Sequence, residues 1–157
     1  MPQPTIKQLI KKCKFDWVNE FITDKNFPDK SKPEPTELVH FNEYLSTEEV
    51  LKKIDEQGFR PATLRELLEF AIKNPDEQRK FPIAALGSSC VVSGDRHVLY
   101  LYGNSTGRGL GLYWFTSRWS SHYRFLVVRK SSDARTLGDN KLTNLIKDLK
   151  EVIKRYE

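Results

Sequence analysis

The side chains able to carry acid–base, nucleophilic or metal chemistry are few: His40, His97 and His122, the thiols Cys13 and Cys90, and Asp95, the one acid between Phe81 and Arg129. Their spacing does not assemble a reaction. No histidine has a cysteine or a second histidine at the interval of a zinc site. His40 lies inside an apolar run and reads as structural. His122 could meet a ligand, but no acid within ten residues is placed to orient it as a base. Cys90 follows Ser88 and Ser89 without an activating neighbour, which points to an ordinary thiol. A calcium site needs several hard oxygen ligands, and Asp95 stands alone. The glycine-rich run from Gly103 to Gly109 lacks the lysine and the following helix of a phosphate loop. These patterns predict a non-enzymatic chain with no catalytic set, no metal site and no cofactor.

Contact chemistry is better represented. From Phe81 to Arg129 there is no lysine, although the chain has sixteen, and this stretch holds half of the aromatic residues and six of the eight glycines. Tyrosine, tryptophan, serine, asparagine and arginine are the residues of antibody-type contact surfaces. The rings give area at little entropic cost, and the small polar groups give adaptable hydrogen bonds. The candidate ligand-binding residues are Ser89, Cys90, Tyr100, Tyr102, Asn104, Ser105, Arg108, Tyr113, Phe115, Thr116, Ser117, Arg118, Ser120, Ser121, His122 and Tyr123. Alternation places Leu99, Leu101, Leu110, Leu112 and Trp114 in one buried set, with Trp119 and Phe125 also assigned to the core. Tyr100, Tyr102, Tyr113 and Phe115 fall on the other side of the same strands. There they form either an exposed aromatic patch or a second core face covered by the segment around Trp17 and Phe21.

The elements that must position these residues follow from periodicity. Ile6, Leu9, Ile10 and Cys13 predict a helix capped by Thr5. A proline-rich linker precedes a strand predicted at Leu38–Leu45. A helix capped at Ser46–Thr47 buries Val50, Leu51 and Ile54 and ends at Gly58. A second helix opens on a capping box, Thr63 with Glu66, and stops at Asn74–Pro75. Alternating runs at Ile83–Val92, His97–Tyr102, Arg108–Phe115 and Tyr123–Arg129, separated by glycine turns, predict an antiparallel β region. A last polar linker leads to an amphipathic helix at Lys141–Tyr156, suited either to docking on the domain or to self-association.

The fold class expected is therefore α+β. At 157 residues with 38% hydrophobic content, one domain is affordable. No apolar run approaches the ~18 residues of a membrane span. Met1 to Ile10 shows no signal sequence, and two distant cysteines suggest free thiols in a reducing compartment. The expected location is cytoplasmic, with surface display left open. The formal charge of +5 is modest, and acids and lysines interleave, as in Glu48-Glu49 and Lys52-Lys53, which reads as a solvated surface.

The segment Gly58-Phe59-Arg60-Pro61-Ala62-Thr63-Leu64-Arg65-Glu66-Leu67-Leu68-Glu69-Phe70-Ala71 resembles the Gly-x-Arg-Leu-Pro-Thr-Glu-x-Glu-Trp-Glu-Tyr-Ala-Ala segment of formylglycine-generating-enzyme-like domains, which have a C-type-lectin-type fold. Phe125-Leu126-Val127-Val128-Arg129 is similar to the Gly-Phe-Arg-x-x-Arg strand that closes such domains, and Trp114 and Trp119 sit where the family carries its tryptophan-containing segment. The resemblance covers about Glu37 to Lys130. It implies an N-terminal helical extension and linker over 1–36, a C-type-lectin-like domain over 37–130 with two helices before a twisted sheet, and a linker and C-terminal helix over 131–157. The paired catalytic cysteines of that enzyme and the calcium motifs of sugar-binding lectins are not matched.

The chain further resembles the variable proteins of diversity-generating retroelements, lectin-fold scaffolds whose surface codons are rewritten at template adenines. Such mutagenesis of an asparagine codon cannot yield Lys, Glu, Gln, Met or Trp. From His97 to Arg124 only Trp114 and Trp119 fall outside the permitted set. The resemblance implies a hypervariable display surface at about 88–123 that binds a protein or other macromolecular ligand. The competing expectation is a single-stranded nucleic-acid binder, with rings stacking bases and Arg96, Arg108, Arg118 and Arg124 meeting phosphates.

Overall fold

The computed structural model describes residues 3–130. Along the chain run α1 (Ile6–Cys13), β1 (Trp17–Val18), β2 (Glu37–Val39), β3 (Leu45–Ser46), α2 (Thr47–Glu56), β4 (Phe59–Pro61), α3 (Leu64–Lys73), α4 (Glu77–Lys80), β5 (Ile83–Val92), β6 (Asp95–Gly103), β7 (Arg108–Trp114), β8 (Arg118–Trp119) and β9 (Arg124–Arg129). The architecture is α+β. The linker and helix expected over 131–157 lie outside the described residues.

Three helices begin where a hydroxyl precedes Gln or Glu by three positions. Thr5 with Gln8, Ser46 with Glu49 and Thr63 with Glu66 each form a complete capping box, satisfying two otherwise orphaned backbone N–H groups at each start. Beyond the C-cap of α2, Gly58 adopts φ +84°, a left-handed conformation that costs glycine little.

Apolar cores pack against both faces of the sheet. On one, α1 and α3 pack Ile6, Leu9, Leu64, Leu67 and Leu68 against Leu99, Leu101, Leu110 and Leu126. On the other, α2 and the small β3–β8 sheet pack Val50, Ile54, Leu45 and Trp119 against Val98, Phe125 and Val127. Residues 3–36 pack against the rest of the chain. Ile6, Leu9, Cys13, Ile22 and Phe27 belong to the first core, and β1 joins the sheet edge beside β7.

Three expectations are corrected. The sheet is mixed: β5–β6–β7 is antiparallel, but β9 lies parallel to β5 and β1 parallel to β7. The chain leaving β7 crosses through β8 and returns beside β5, so β9 runs in the direction of β5. The strand predicted at Leu38–Leu45 is broken, because β2 pairs with β9 and β3 with β8, and Asn42 at φ +53° turns the chain between them. Trp114 is not core but 53% exposed. Burial falls along β7 from Leu110 to Leu112 to Trp114 because β1 shields only Gly109 and Leu110. Trp119 and Phe125 are buried.

Candidate functional site

Strand alternation puts Val98, Tyr100 and Tyr102 of β6 on the face opposite Leu99 and Leu101. The β6–β7 register pairs Tyr100 with Gly111 and Tyr102 with Gly109. With no side chain on β7 at these rungs, the rings lie down across it. A Cβ on Gly109 would stand 2.7 Å from Tyr102 Cζ and 2.8 Å from Trp17 Cε2, and one on Gly111 would stand 2.9 Å from Tyr100 Cε1. The two rings stack at 4.8 Å, and Trp17 closes the row edge-on to Tyr102 at 5.0 Å.

From Tyr100 the rings continue inward. Tyr113 and Tyr123 lie 5.7 and 6.4 Å from it, and both contact buried Trp119, at 4.7 and 4.8 Å. Such pairs add roughly 0.5–1.5 kcal/mol each beyond area burial. The Trp119 indole donates to Thr47 Oγ1 at 2.8 Å, and that hydroxyl donates to Phe115 O at 2.7 Å, so the start of α2 fixes the chain leaving β7. Phe115 lies under the Arg96 guanidinium at 4.0 Å, and Arg96 also donates to Ser89 Oγ.

The tyrosines are half-buried. Tyr113 donates to Arg118 O at 3.3 Å, whereas among the described residues the hydroxyls of Tyr100 and Tyr123 have no partner. Burial, then the neighbouring Tyr113 and Tyr100 hydroxyls, pushes Tyr123 up to about 12. Burial and the adjacent tyrosines raise Tyr100 as well, and burial raises Tyr102 against a smaller opposing effect of the Trp17 side chain. At neutral pH the phenols are therefore neutral hydrogen-bond donors and acceptors on an aromatic floor.

The remaining candidates do not form one patch with them. Asn104 and Ser105 are exposed in the β6–β7 turn, where Asn104 Oδ1 accepts from Thr106 and Gly107. Thr116, Ser117 and Arg118 follow the opposite end of β7, roughly 20 Å away along the strand. Arg118 pairs with Glu49 at 3.3 Å and lies over Tyr44. Ser120, Ser121 and His122 form the turn into β9, where Ser121 O meets His40 Nε2.

Two candidates are removed from the surface. Arg108 is 5% exposed: its Nη1 donates to Cys13 O at 2.8 Å and its Nη2 to Gln78 Oε1 at 3.3 Å. Its guanidinium lies 5.1 Å from the Phe15 ring centroid, and Nε has no partner. It is buried because α1 and α4 close over the start of β7, a contact the flanking glycines do not announce. Cys90 faces the first core, with its thiol raised by burial, and burial likewise pushes Cys13 up to about 12. Both thiols are protonated and shielded, the opposite of a reactive cysteine.

Gly109 and Gly111 belong to the aromatic face and were absent from the sequence-based set, whereas Trp17, expected in a segment covering that face, does lie on Tyr102, and Arg96, expected as a phosphate contact, lies over Phe115. The Gly-Leu-Gly-Leu-Tyr alternation could have revealed the glycines, because it empties alternate positions opposite tyrosines. Trp17 could not be read this way, since its partner lies 85 residues on. Among the described residues there is no group of three or more His, Cys, Asp or Glu able to hold a metal, and no helix long and apolar enough to cross a membrane. The chain matches no protein-family model, no curated protein and no solved structure.

Proposed function

We propose that this chain is a non-enzymatic binding protein, a C-type-lectin-like scaffold whose ligand surface is the aromatic face and the turns around it, diversified as in retroelement variable proteins. One observation carries the reading: a continuous row of half-exposed rings, Trp17, Tyr102, Tyr100, Tyr113 and Tyr123, in which Tyr102 and Tyr100 rest on Gly109 and Gly111 and the hydroxyls of Tyr100 and Tyr123 are unused among the described residues. Rigid aromatic area with neutral donors suits a protein or other macromolecular ligand. The lectin-like class is supported by β9, which closes the sheet between β2 and β5 and also pairs with β4, the strand that leads into the resembling helix.

Sequencing the locus across a natural population tests this reading. Substitutions should fall at template adenines in codons for the exposed positions Asn104, Ser105, Thr116, Arg118 and His122 and for the half-exposed Ser117. They should spare Arg108, Cys90 and Trp119, which the core requires. Variation no higher than in α2 and α3 would reject diversification.

A second reading, single-stranded nucleic acid on the same face, is favoured by Arg96, which lies over Phe115 and has no carboxylate partner among the described residues. It requires that Tyr100→Ala weaken oligonucleotide binding by roughly 1–3 kcal/mol per stacked base.

A further inference from the structure

One helix carries a run of positive charge. Lys7, Lys11, Lys12 and Lys14 occupy α1 and its C-cap with no acid among them, and removing these four from the formal +5 leaves +1. Several other lysines sit beside acids, as in Lys53–Glu43, Lys80–Glu77 and Lys130–Asp55. All four α1 lysines are exposed, and among the described residues none forms an ion pair. Asp24 is engaged by the backbone N–H groups of Ile6 and Lys7, and with Glu20 it lines a separate concavity that Lys7 also borders.

Geometry makes these charges one surface. Lys7, Lys11 and Lys14 follow at i, i+4 and i+7, so they form a stripe with roughly 5–6 Å between neighbours. Lys12 extends it around the exposed arc. Beside them lies a concavity of about 510 Å³ lined by Pro4, Gln8, Lys11, Lys12 and Lys14, which contains no acid.

We infer that the exposed side of α1 docks the phosphate backbone of a nucleic acid, at a site separate from the aromatic face. A row of unpaired ammonium groups beside an acid-free concavity is complementary to a polyanion, and Gln8, the one amide there, is engaged in the helix cap, so the surface fits backbone contact independent of sequence. A lipid surface fits less well. A helix lying in a membrane interface buries an apolar face in lipid, whereas the apolar face of α1, Ile6, Leu9 and Cys13, is sealed in the core.

The test is binding of a labelled thymidine oligomer of about 20 nucleotides to the full chain at increasing salt. Four lysine contacts on a single strand give a log–log slope of about −2.8, or roughly 50-fold weaker binding at 200 mM than at 50 mM salt. The quadruple variant Lys7→Gln, Lys11→Gln, Lys12→Gln, Lys14→Gln should lose the binding and its salt dependence, with an unchanged circular dichroism spectrum. The quadruple Lys→Arg variant should retain both. The inference is overturned if the Gln variant binds as the wild type does, or if the oligomer is not bound at about 50 mM salt. It is also overturned if phosphatidylserine vesicles are bound in its place. Loss of binding in Arg96→Gln, but not in the lysine variant, would assign the nucleic acid to the aromatic face and overturn the inference too.

Discussion

The ring of Tyr102 lies across Gly109, its partner in the β6–β7 ladder, so closely that a Cβ there would come within 2.7 Å of Cζ. Trp17 presses on the same spot from the other side, at 2.8 Å. Two rings thus share the space of one missing methyl group. Gly109→Ala should destabilise the fold by about 1–3 kcal/mol through overpacking and shift the Trp17 fluorescence as the indole is displaced. Denaturant unfolding and emission spectra check both. An unchanged spectrum would mean that the aromatic row does not depend on the glycine.

Arg108 should behave as a structural residue. Arg108→Ala removes the donors to Cys13 O and Gln78 Oε1 and leaves a cavity beneath Phe15. A loss of about 2–4 kcal/mol is expected from the orphaned buried acceptors and lost packing, measured as a lower urea midpoint. A ligand-contact role would instead leave stability unchanged.

Trp114 should be dispensable for folding. It is half exposed, and the aromatic ring beside it is His97, at 5.7 Å. Trp114→Ala should change stability by no more than about 0.5 kcal/mol, whereas Trp119→Ala, at a fully buried site, should cost about 3–5 kcal/mol. Comparing their thermal midpoints separates the two tryptophans.

Glu66 ties the proline-rich linker to α3. It is 1% exposed and accepts hydrogen bonds from Arg60 Nη2 at 2.7 Å and from the N–H groups of Thr63 and Glu34, both at 2.9 Å. Burial alone would raise its carboxyl, but these hydrogen bonds outweigh burial and hold it below the ordinary 4.5. A depressed folded value means that the stabilisation is complete above pH 4.5 and is lost as pH falls through the depressed value. Glu66→Gln should cost about 2 kcal/mol at neutral pH, less than for a fully buried pair because Arg60 is one-third exposed. The gap from the wild type should close in acid. Urea titrations at neutral and acidic pH measure it, and a gap independent of pH would refute the role of the charge.

The sequence by itself determined the local pieces. The three capping boxes, the buried stripes of the helices, the strand positions between glycine turns and the aromatic content of one side of β6 and β7 depend on residues a few positions apart. Intrahelical hydrogen bonds, strand alternation and turn preferences act at that range. The tertiary structure decided what those pieces meet. It set β9 parallel to β5, carried Arg108 inward to residues 95 and 30 positions away, and brought Trp17 onto Tyr102. It also left Trp114 uncovered and put Asn104 and Thr116 at opposite ends of β7. Alternation tells which side of a strand a residue takes, but not which element covers that side or where the cover stops. Those outcomes depend on how distant apolar faces close against one another, which no local spacing encodes.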